Sequence, residues 1–323
     1  MTQIPTCVIG VGRLGAEHAR ILQELPDSEL VGVYDTDSDR ARSVAERIGS
    51  RCFPDPAPLL ERAEGVVIAV PTKEHLSVAR RALEAGCHSL VEKPLAPTLE
   101  EADQLIALAE ERRVVLGVGH VERFNRVLVG CAEYVDRPRF IESLRLAPFQ
   151  PRGTDVTVIL DLMIHDIDLV LGLVDSGIAH MNAVGVPVVS SSVDIANARL
   201  VFENGTVANI TASRVSARPL RQLRLFQRSG YFSLDLKAGH GEFLRRRSDP
   251  PQAPSGPDDL VERIELSGGD DEPLRLELEA FLGAIRGERS RMVTGAQGRE
   301  ALAVALGITR EIEEFADVVA QDS

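Results

Sequence analysis

The sequence predicts an α/β chain in two parts: a doubly wound parallel sheet over residues 1–120 and, over residues 121–323, an α+β domain built on a large, mainly antiparallel open sheet. Three observations carry this expectation. A chain of 323 residues exceeds what one hydrophobic core usually organises. The first 120 residues alternate short aliphatic runs with amphipathic segments of helical period, the pattern of a parallel sheet covered by helices. Beyond them the runs read as strands joined by hairpin turns.

In the first part, strands are expected at TCVIGV, ELVGVYD, GVVIAV, HSLVEK and VVLGVG. Helices are expected to begin near Leu14, Ser38, Lys73 and Thr98. The last carries TLEE, in which Thr98 can cap and Glu101 can reach back, satisfying two amides at the helix start. In the second part, FIESLRLAPF, ANARLVFENGTVANITAS, RQLRLFQRSGYFSLDL and VERIELSG read as strands, with Glu203-Asn204-Gly205 as a hairpin turn. The stretch SDPPQAPSGPDD, with four prolines, reads as a mobile connection without chemistry of its own. Helices around PLRLELEAFLGAIRG and GAQGREALAVALGITREIEEF end the chain and are open to packing back on the first domain.

Composition excludes several functions. Hydrophobic residues make up 44% and charged residues 26%, ordinary globular chemistry. The net charge of −13 repels phosphate backbones and anionic membrane surfaces, so neither nucleic acid nor membrane is expected as a partner. The N-terminus enters TCVIGVG without a basic and apolar leader, and Asp161, His165, Asp166 and Asp168 interrupt the longest apolar stretch; the expectation is a soluble, cytoplasmic protein. Cys7, Cys52, Cys87 and Cys131 have no paired metal-type spacing, so free thiols and no metal site are expected.

The first chemical motif is VIGVGRLG, where Gly10, Gly12 and Gly15, with Arg13 and Leu14 between them, form G-x-G-x-x-G between a strand and a helix. Glycine there permits a tight turn, lets backbone approach a pyrophosphate, and allows close helix packing. Asp35, at the end of the next expected strand, stands where an acidic residue accepts hydrogen bonds from an adenosine ribose. Asp35 and Asp37 should repel a 2′-phosphate, favouring NAD over NADP, and Arg40 tempers that preference. The second motif, VEKPLAPT, puts Glu92, Lys93 and Pro94 at the C-terminal end of HSLV, the sheet edge at which ligands bind; the proline sets a turn compatible with a cis bond. Alone, a lysine after a strand is more often a solvated surface group.

The glycine turn, a Pro71-Thr72 turn leading to His75, the Glu92-Lys93-Pro94 motif and a later Asp161-x-x-x-His165 follow one another in an order that resembles the dehydrogenase family of glucose-fructose oxidoreductase and inositol dehydrogenase, over essentially the whole chain. The resemblance implies a dinucleotide-binding Rossmann domain, NAD bound with help from Gly10, Gly12, Arg13, Leu14, Gly15, Asp35, Pro71, Thr72, His75, Glu92 and Lys93, and oxidation of a secondary hydroxyl of a small sugar or polyol.

The stretch VILDLMIHDIDLVLGLV then takes on meaning, because helical spacing places Asp161, His165 and Asp168 on one stripe and points Asp166 elsewhere. Burying an ionised carboxylate without a partner costs several kcal/mol or forces it to neutralise. A narrow polar stripe facing an active-site cleft removes that cost; a histidine bonded to aspartates purely as a polar anchor is the other reading. From the resemblance, His165 is expected to take the hydroxyl proton, Lys93 to stabilise the alkoxide or relay the proton, and Asp161 to orient the sugar or the imidazole. Which of Lys93 and His165 accepts the proton stays open.

Two further stretches bear on substrate. VGHVERFNR resembles a crossing segment in members acting on nucleotide-linked amino sugars, implying substrate roles for His120, Arg123 and Asn125, with Arg126 replacing a frequent proline. LAPFQPRGTDVTVILDLMIHDIDL resembles the branch that oxidises C3 of UDP-N-acetylglucosamine to a 3-keto sugar, which an aminotransferase then uses on the route to lipid A. Arg152, in a Pro151-Arg152-Gly153 turn, offers a guanidinium fork to a substrate pyrophosphate, and Gln150 a polar group to sugar or uracil, although a solvated loop arginine fits equally. A free polyol or another nucleotide sugar, such as UDP-N-acetylglucosaminuronate, is the alternative substrate, and a dinucleotide-binding sensor is the non-enzymatic alternative. Apolar alternation in RLVFENGTVANIT leaves a sheet face to be covered, from which a homodimer or homotetramer is expected.

Overall fold

The structure, a computed structural model, describes residues 2–150, 156–252 and 255–321. It divides into two compact units, one of Met1–Val121 with Asp271–Leu302, the other of Glu122–Asp270 with Ala303–Ser323.

The first unit follows a strand–helix alternation: β1 (Ile4–Ile9), α1 (Arg13–Glu24), β2 (Ser28–Tyr34), α2 (Ser38–Ile48), the short α3 (Ala57–Leu60), β3 (Gly65–Ile68), α4 (His75–Glu84), β4 (His88–Glu92), α5 (Leu99–Arg112) and β5 (Leu116–Gly119). β3 and β5 are buried throughout and β4 at its three central residues, as parallel strands covered on both faces must be. Strand order in this sheet is β14-β5-β4-β3-β1-β2, all parallel except the two-residue β14 (Val293–Thr294), which pairs antiparallel with β5. The chain moves outward from β1 in opposite directions to β2 and to β3, so the C-terminal ends of β1 and β3 flank the crevice in which such sheets bind ligands. Ile21 and Leu22 of α1 and Val8, Val33 and Val67 of the sheet share one core with Leu278, Phe281 and Leu282 of α8 (Pro273–Ile285). Thr98 caps α5 by accepting from the amide of Glu101, 3.2 Å away. The helix expected near Lys73 instead opens with a 3₁₀ turn, Thr72–Glu74, and becomes regular at His75, because Pro71 sits in extended backbone just before it.

The second unit holds α6 (Arg126–Cys131), β6 (Phe140–Leu146), α7 (Ile164–Leu173), β7 (Ile178–Val186), β8 (Ile195–Phe202), β9 (Val207–Ser213), β10 (Leu220–Gln227), β11 (Gly230–Asp235), β12 (His240–Arg246) and β13 (Val261–Ser267). Residues from Ala303 onward of α9 (Gly295–Gln321) belong here too. The eight strands run in the order β13-β12-β11-β10-β6-β9-β8-β7, and every neighbouring pair is antiparallel except β6 with β9. The Glu203-Asn204-Gly205 turn joins β8 to β9, with Gly205 at φ +81°. β7 and β12 had no counterpart among the expected strands: β7 buries none of its residues fully, and Phe243 is the one buried residue of β12. Residues 253 and 254 of the proline-rich stretch lie outside the described residues; Pro257–Asp259 forms a 3₁₀ turn.

The apolar alternation in RLVFENGTVANIT is covered within the chain. Ala198, Leu200, Phe202, Ala208, Ile210 and Ala212 are buried, whereas the other face of β8 and β9 carries Asn197, Arg199, Asn209 and Thr211. Among the described residues, no helix is long and apolar enough to cross a membrane.

Candidate active site

The glycine turn follows directly from β1. Gly10 has φ +87°, and a Cβ there would stand 2.7 Å from the Ala69 carbonyl oxygen; at Gly15 it would stand 1.8 Å from the carbonyl oxygen of Gly10. Both positions therefore require glycine for the protein's own packing. At Gly12 a Cβ would meet nothing within 4 Å, so that glycine answers no internal crowding and leaves room for a ligand's close approach. Gly12 precedes α1, whose start has no side-chain cap and no acidic residue in its first turn, leaving the positive end of the helix to an anion. Arg13 and Leu14 are exposed there.

Asp35 ties this turn to the end of β2. Its Oδ2 accepts from the Val11 amide at 2.9 Å and its Oδ1 from the Asp37 amide at 2.9 Å. Arg40 reaches both oxygens at 3.4 Å and pairs with Asp37 at 2.9 Å, so its charge is committed to carboxylates already present. The carboxylate is thereby held in place for ribose hydroxyls.

A third group gathers at the ends of β3 and β4. His75 is buried, with Nδ1 2.8 Å from the Pro94 carbonyl oxygen and Nε2 3.0 Å from that of Val70; it connects the Pro71-Thr72 turn to the lysine loop. Burial holds its pKa below the usual histidine value, against the opposing pull of those carbonyls. Pro71 is exposed and Thr72 half-buried. The Lys93-Pro94 bond is cis, and Lys93 is half-buried. The Lys93 amide donates to Oε2 of Glu92 at 3.3 Å, while Oε1 of Glu92 lies 2.7 Å from Nε2 of His18. His120 is buried just after β5.

In the second unit the DLMIHDIDL segment departs from the expected stripe. Ile159–Met163, including Asp161, forms a π-helical turn, and regular α-helix begins only at Ile164. The wider turn changes the angular step between Asp161 and His165, and π turns recur at functional sites. Both residues are half-buried. Asp168 does not share an open stripe with them: it is buried and holds Arg123 through bonds of 2.6 and 2.9 Å. Gly172 makes this fit, since a Cβ there would lie 1.9 Å from the guanidinium. Asp166 is also buried, accepting from Ser143 at 2.7 Å and from Arg145 at 2.5 Å. Arg145 in turn reaches Glu122 at 2.9 Å. Burial pushes the Glu122 carboxyl up, but Arg145 and Arg221 outweigh it and hold its pKa below the ordinary value.

The proposed substrate residues thus separate. Arg123 is engaged by Asp168. Asn125 is buried, caps α6 through the Val127 amide, and donates to Glu122 and the Leu236 carbonyl, which is anchoring work. Gln150 is exposed, and Arg152 lies outside the described residues. Sequence reasoning missed His18, Glu122, Arg145 and Glu277. No local signal marks them, because their partners come from distant segments; no metal site was expected either, yet ligand atoms of His18, Glu92 and Glu277 lie within 4.8 Å of one another.

A glycine turn at a bare helix start, with a fixed carboxylate ending the adjacent parallel strand, defines a Rossmann dinucleotide-binding domain. Residues 4–120 match the oxidoreductase family with NAD-binding Rossmann fold of the Gfo/Idh/MocA proteins, and residues 144–233 match the Gfo/Idh/MocA C-terminal domain. The UDP-N-acetylglucosamine 3-dehydrogenase of Acidithiobacillus ferrooxidans is 40% identical over 98% of this chain and 99% of its own. A solved structure of that enzyme superposes with a TM-score of 0.89 at 39% identity, covering 98% of this chain and 99% of that one. The myo-inositol 2-dehydrogenase of Thermotoga maritima is 28% identical over 64% of this chain and 67% of its own. This chain belongs to the Gfo/Idh/MocA family of NAD-binding oxidoreductases.

Proposed function

We propose that the chain oxidises C3 of UDP-N-acetylglucosamine to the 3-keto sugar. The observation carrying this reading is the 40% identity to the Acidithiobacillus ferrooxidans enzyme over nearly the full length of both chains. Bound NAD supplies the hydride acceptor. Gly12 leaves its pyrophosphate room at the start of α1, in the turn that Gly10 and Gly15 make possible, Asp35 receives the ribose, and Pro71, Thr72 and His75 shape the adjoining wall. His165 takes the hydroxyl proton; histidine suits this because its ordinary pKa, about 6.5, lets it accept and return a proton near neutrality. Lys93 steadies the negative charge growing on the oxygen, and Asp161 orients the sugar or the imidazole. His120, Gln150 and Arg152 contribute to holding the nucleotide sugar.

The product is a ketone one step from an amine, so it serves an aminotransferase, as on the route to lipid A, in the cytoplasm. The chain works as a homodimer or homotetramer. Support for assembly comes from the outer sheet face, where Phe226 stacks on Tyr231 at 4.9 Å and lies 5.5 Å from Phe140, with Arg224 over both Phe226 and Tyr231.

The test is incubation of purified protein with NAD and a panel of UDP-sugars and free polyols, following NADH absorbance and product mass. Turnover of UDP-N-acetylglucosamine with loss of two mass units from the sugar is the expected result. Turnover of another sugar reassigns the substrate, and no NADH with any compound favours a sensor.

A further inference from the structure

We propose that His18 is a positioning residue that acts through Glu92 to hold Lys93 in its working place, an inference that rests on the role given to Lys93 above. His18 lies on α1, one turn beyond the glycine turn, and is wholly buried. Its Nε2 meets Oε1 of Glu92 at 2.7 Å, and the other oxygen of the same carboxylate receives the Lys93 amide at 3.3 Å. Facing a carboxylate, which only accepts, Nε2 is the ring nitrogen that donates to Glu92.

The surroundings leave Glu92 little freedom. A Cβ on Gly119 would approach its carboxylate to 3.0 Å, and the Glu277 carboxylate of α8 lies within 4.8 Å of the same group of ligand atoms. On the far side of Lys93, His75 holds the Pro94 carbonyl at 2.8 Å. The residues before and after Lys93 are therefore each gripped by a buried imidazole, one from the helix of the glycine turn and one from the start of α4. Lys93 gains a fixed backbone from which a flexible four-carbon arm reaches the substrate. The glycine turn and the lysine loop also become one mechanical piece.

The pair His18→Asn and His18→Gln tests this. Glutamine reaches the place of Nε2 and keeps a donor for Glu92; asparagine is a methylene short. With the intact chain, His18→Asn should lower kcat about 10- to 100-fold, the range for losing a group that orients another, with KM for NAD within about threefold. His18→Gln should recover most of kcat. If His18→Asn does not fold, Glu92→Asp shortens the other arm and should lower kcat likewise. Equal kcat for asparagine and wild type, no rescue by glutamine, or loss expressed wholly in KM for NAD overturns the proposal. So does a stoichiometric bound cation in the purified protein, which makes His18 a ligand instead. Lys93→Ala serves as the control: if it retains full turnover, the Lys93 reading itself fails, whereas an inactive Lys93→Ala beside a fully active His18→Asn removes only His18.

Discussion

Arg123 and Asp168, 45 residues apart in sequence, close on each other through two hydrogen bonds, Nε to Oδ2 at 2.6 Å and Nη2 to Oδ1 at 2.9 Å. The carboxylate is wholly buried while about a fifth of the arginine side chain is exposed, so the pair fixes the 3₁₀ turn Val121–Phe124 to α7. Removing one partner strands the other. Arg123→Ala should cost about 3–5 kcal/mol of stability, the typical cost of breaking a buried ion pair. Asp168→Asn, which leaves a polar but uncharged partner, should cost less. Urea unfolding monitored by far-UV circular dichroism measures both; an Arg123→Ala midpoint equal to wild type would return Arg123 to the substrate.

Asp35 is held from three directions, and its replacement should change cofactor selection. In Asp35→Ala, affinity for NAD should fall about 10- to 100-fold, the equivalent of roughly 1.5–3 kcal/mol for hydrogen bonds to a charged group. Arg40, released from Asp35, then offers its guanidinium to a 2′-phosphate, and the ratio of kcat/KM for NADP over NAD should rise. A ratio unchanged from wild type would place the ribose contact elsewhere.

The parts of this site that were readable in the sequence are those whose residues sit close together in the chain. The Gly10, Gly12, Gly15 turn and the Asp35 that follows it declare themselves because one strand–turn–helix unit builds the pyrophosphate place, and glycine is forced by the turn. The DLMIHDIDL segment misled because an even α-helical step was assumed: the π turn over Ile159–Met163 breaks that step, and which carboxylates are spent on Arg123 and Arg145 depends on partners in other elements. His18 escaped notice for the same reason, since nothing beside it in α1 hints at Glu92, 74 residues away. Strands β7 and β12 were illegible because neither carries a two-residue apolar rhythm: the large apolar residues of β7, Ile178, Met181, Val184 and Val186, are unevenly spaced and none is fully buried, and β12 buries Phe243 alone.

Acidification should loosen the first unit before the second. Burial lowers the pKa of His75 and of His88, and Nδ1 of His88 accepts the Val115 amide at 2.8 Å, a bond that protonation destroys. The unfolded chain takes up protons at these histidines from about pH 6.5 downward while the folded chain resists, so their stabilising contribution is complete above that pH and is lost as pH falls below it. Glu122 and Asp194, in the second unit, have folded pKa values below their ordinary ones; their contribution persists until pH drops through the carboxylate range near 4. Hydrogen exchange at pH 7.5 and 5.5, corrected for the intrinsic rate at each pH, should therefore show lower protection across β4 and β5 at the lower pH with little change in β6 and β9. His88→Asn, which keeps an acceptor near Nδ1 but does not titrate, should flatten this dependence; an unaltered slope would remove His88 from it.

His165 and Lys93 carry the chemistry proposed for the chain, and each can be removed without dismantling its surroundings. His165 is half-buried at the first turn of α7, and the stability of that helix rests on Ile164, Ile167, Val170 and the Asp166 and Asp168 anchors. The Lys93 backbone is held through its neighbours Glu92 and Pro94. His165→Ala should lower kcat by about 10²- to 10⁴-fold, the usual contribution of general acid–base catalysis. Lys93→Ala should also lower it sharply, and NAD binding, read by isothermal titration calorimetry, should stay near wild type in both. The pH profile separates their roles: if His165 accepts the proton, the acid limb of kcat should vanish in His165→Ala and survive in Lys93→Ala. A limb that disappears only with Lys93 would exchange the two assignments.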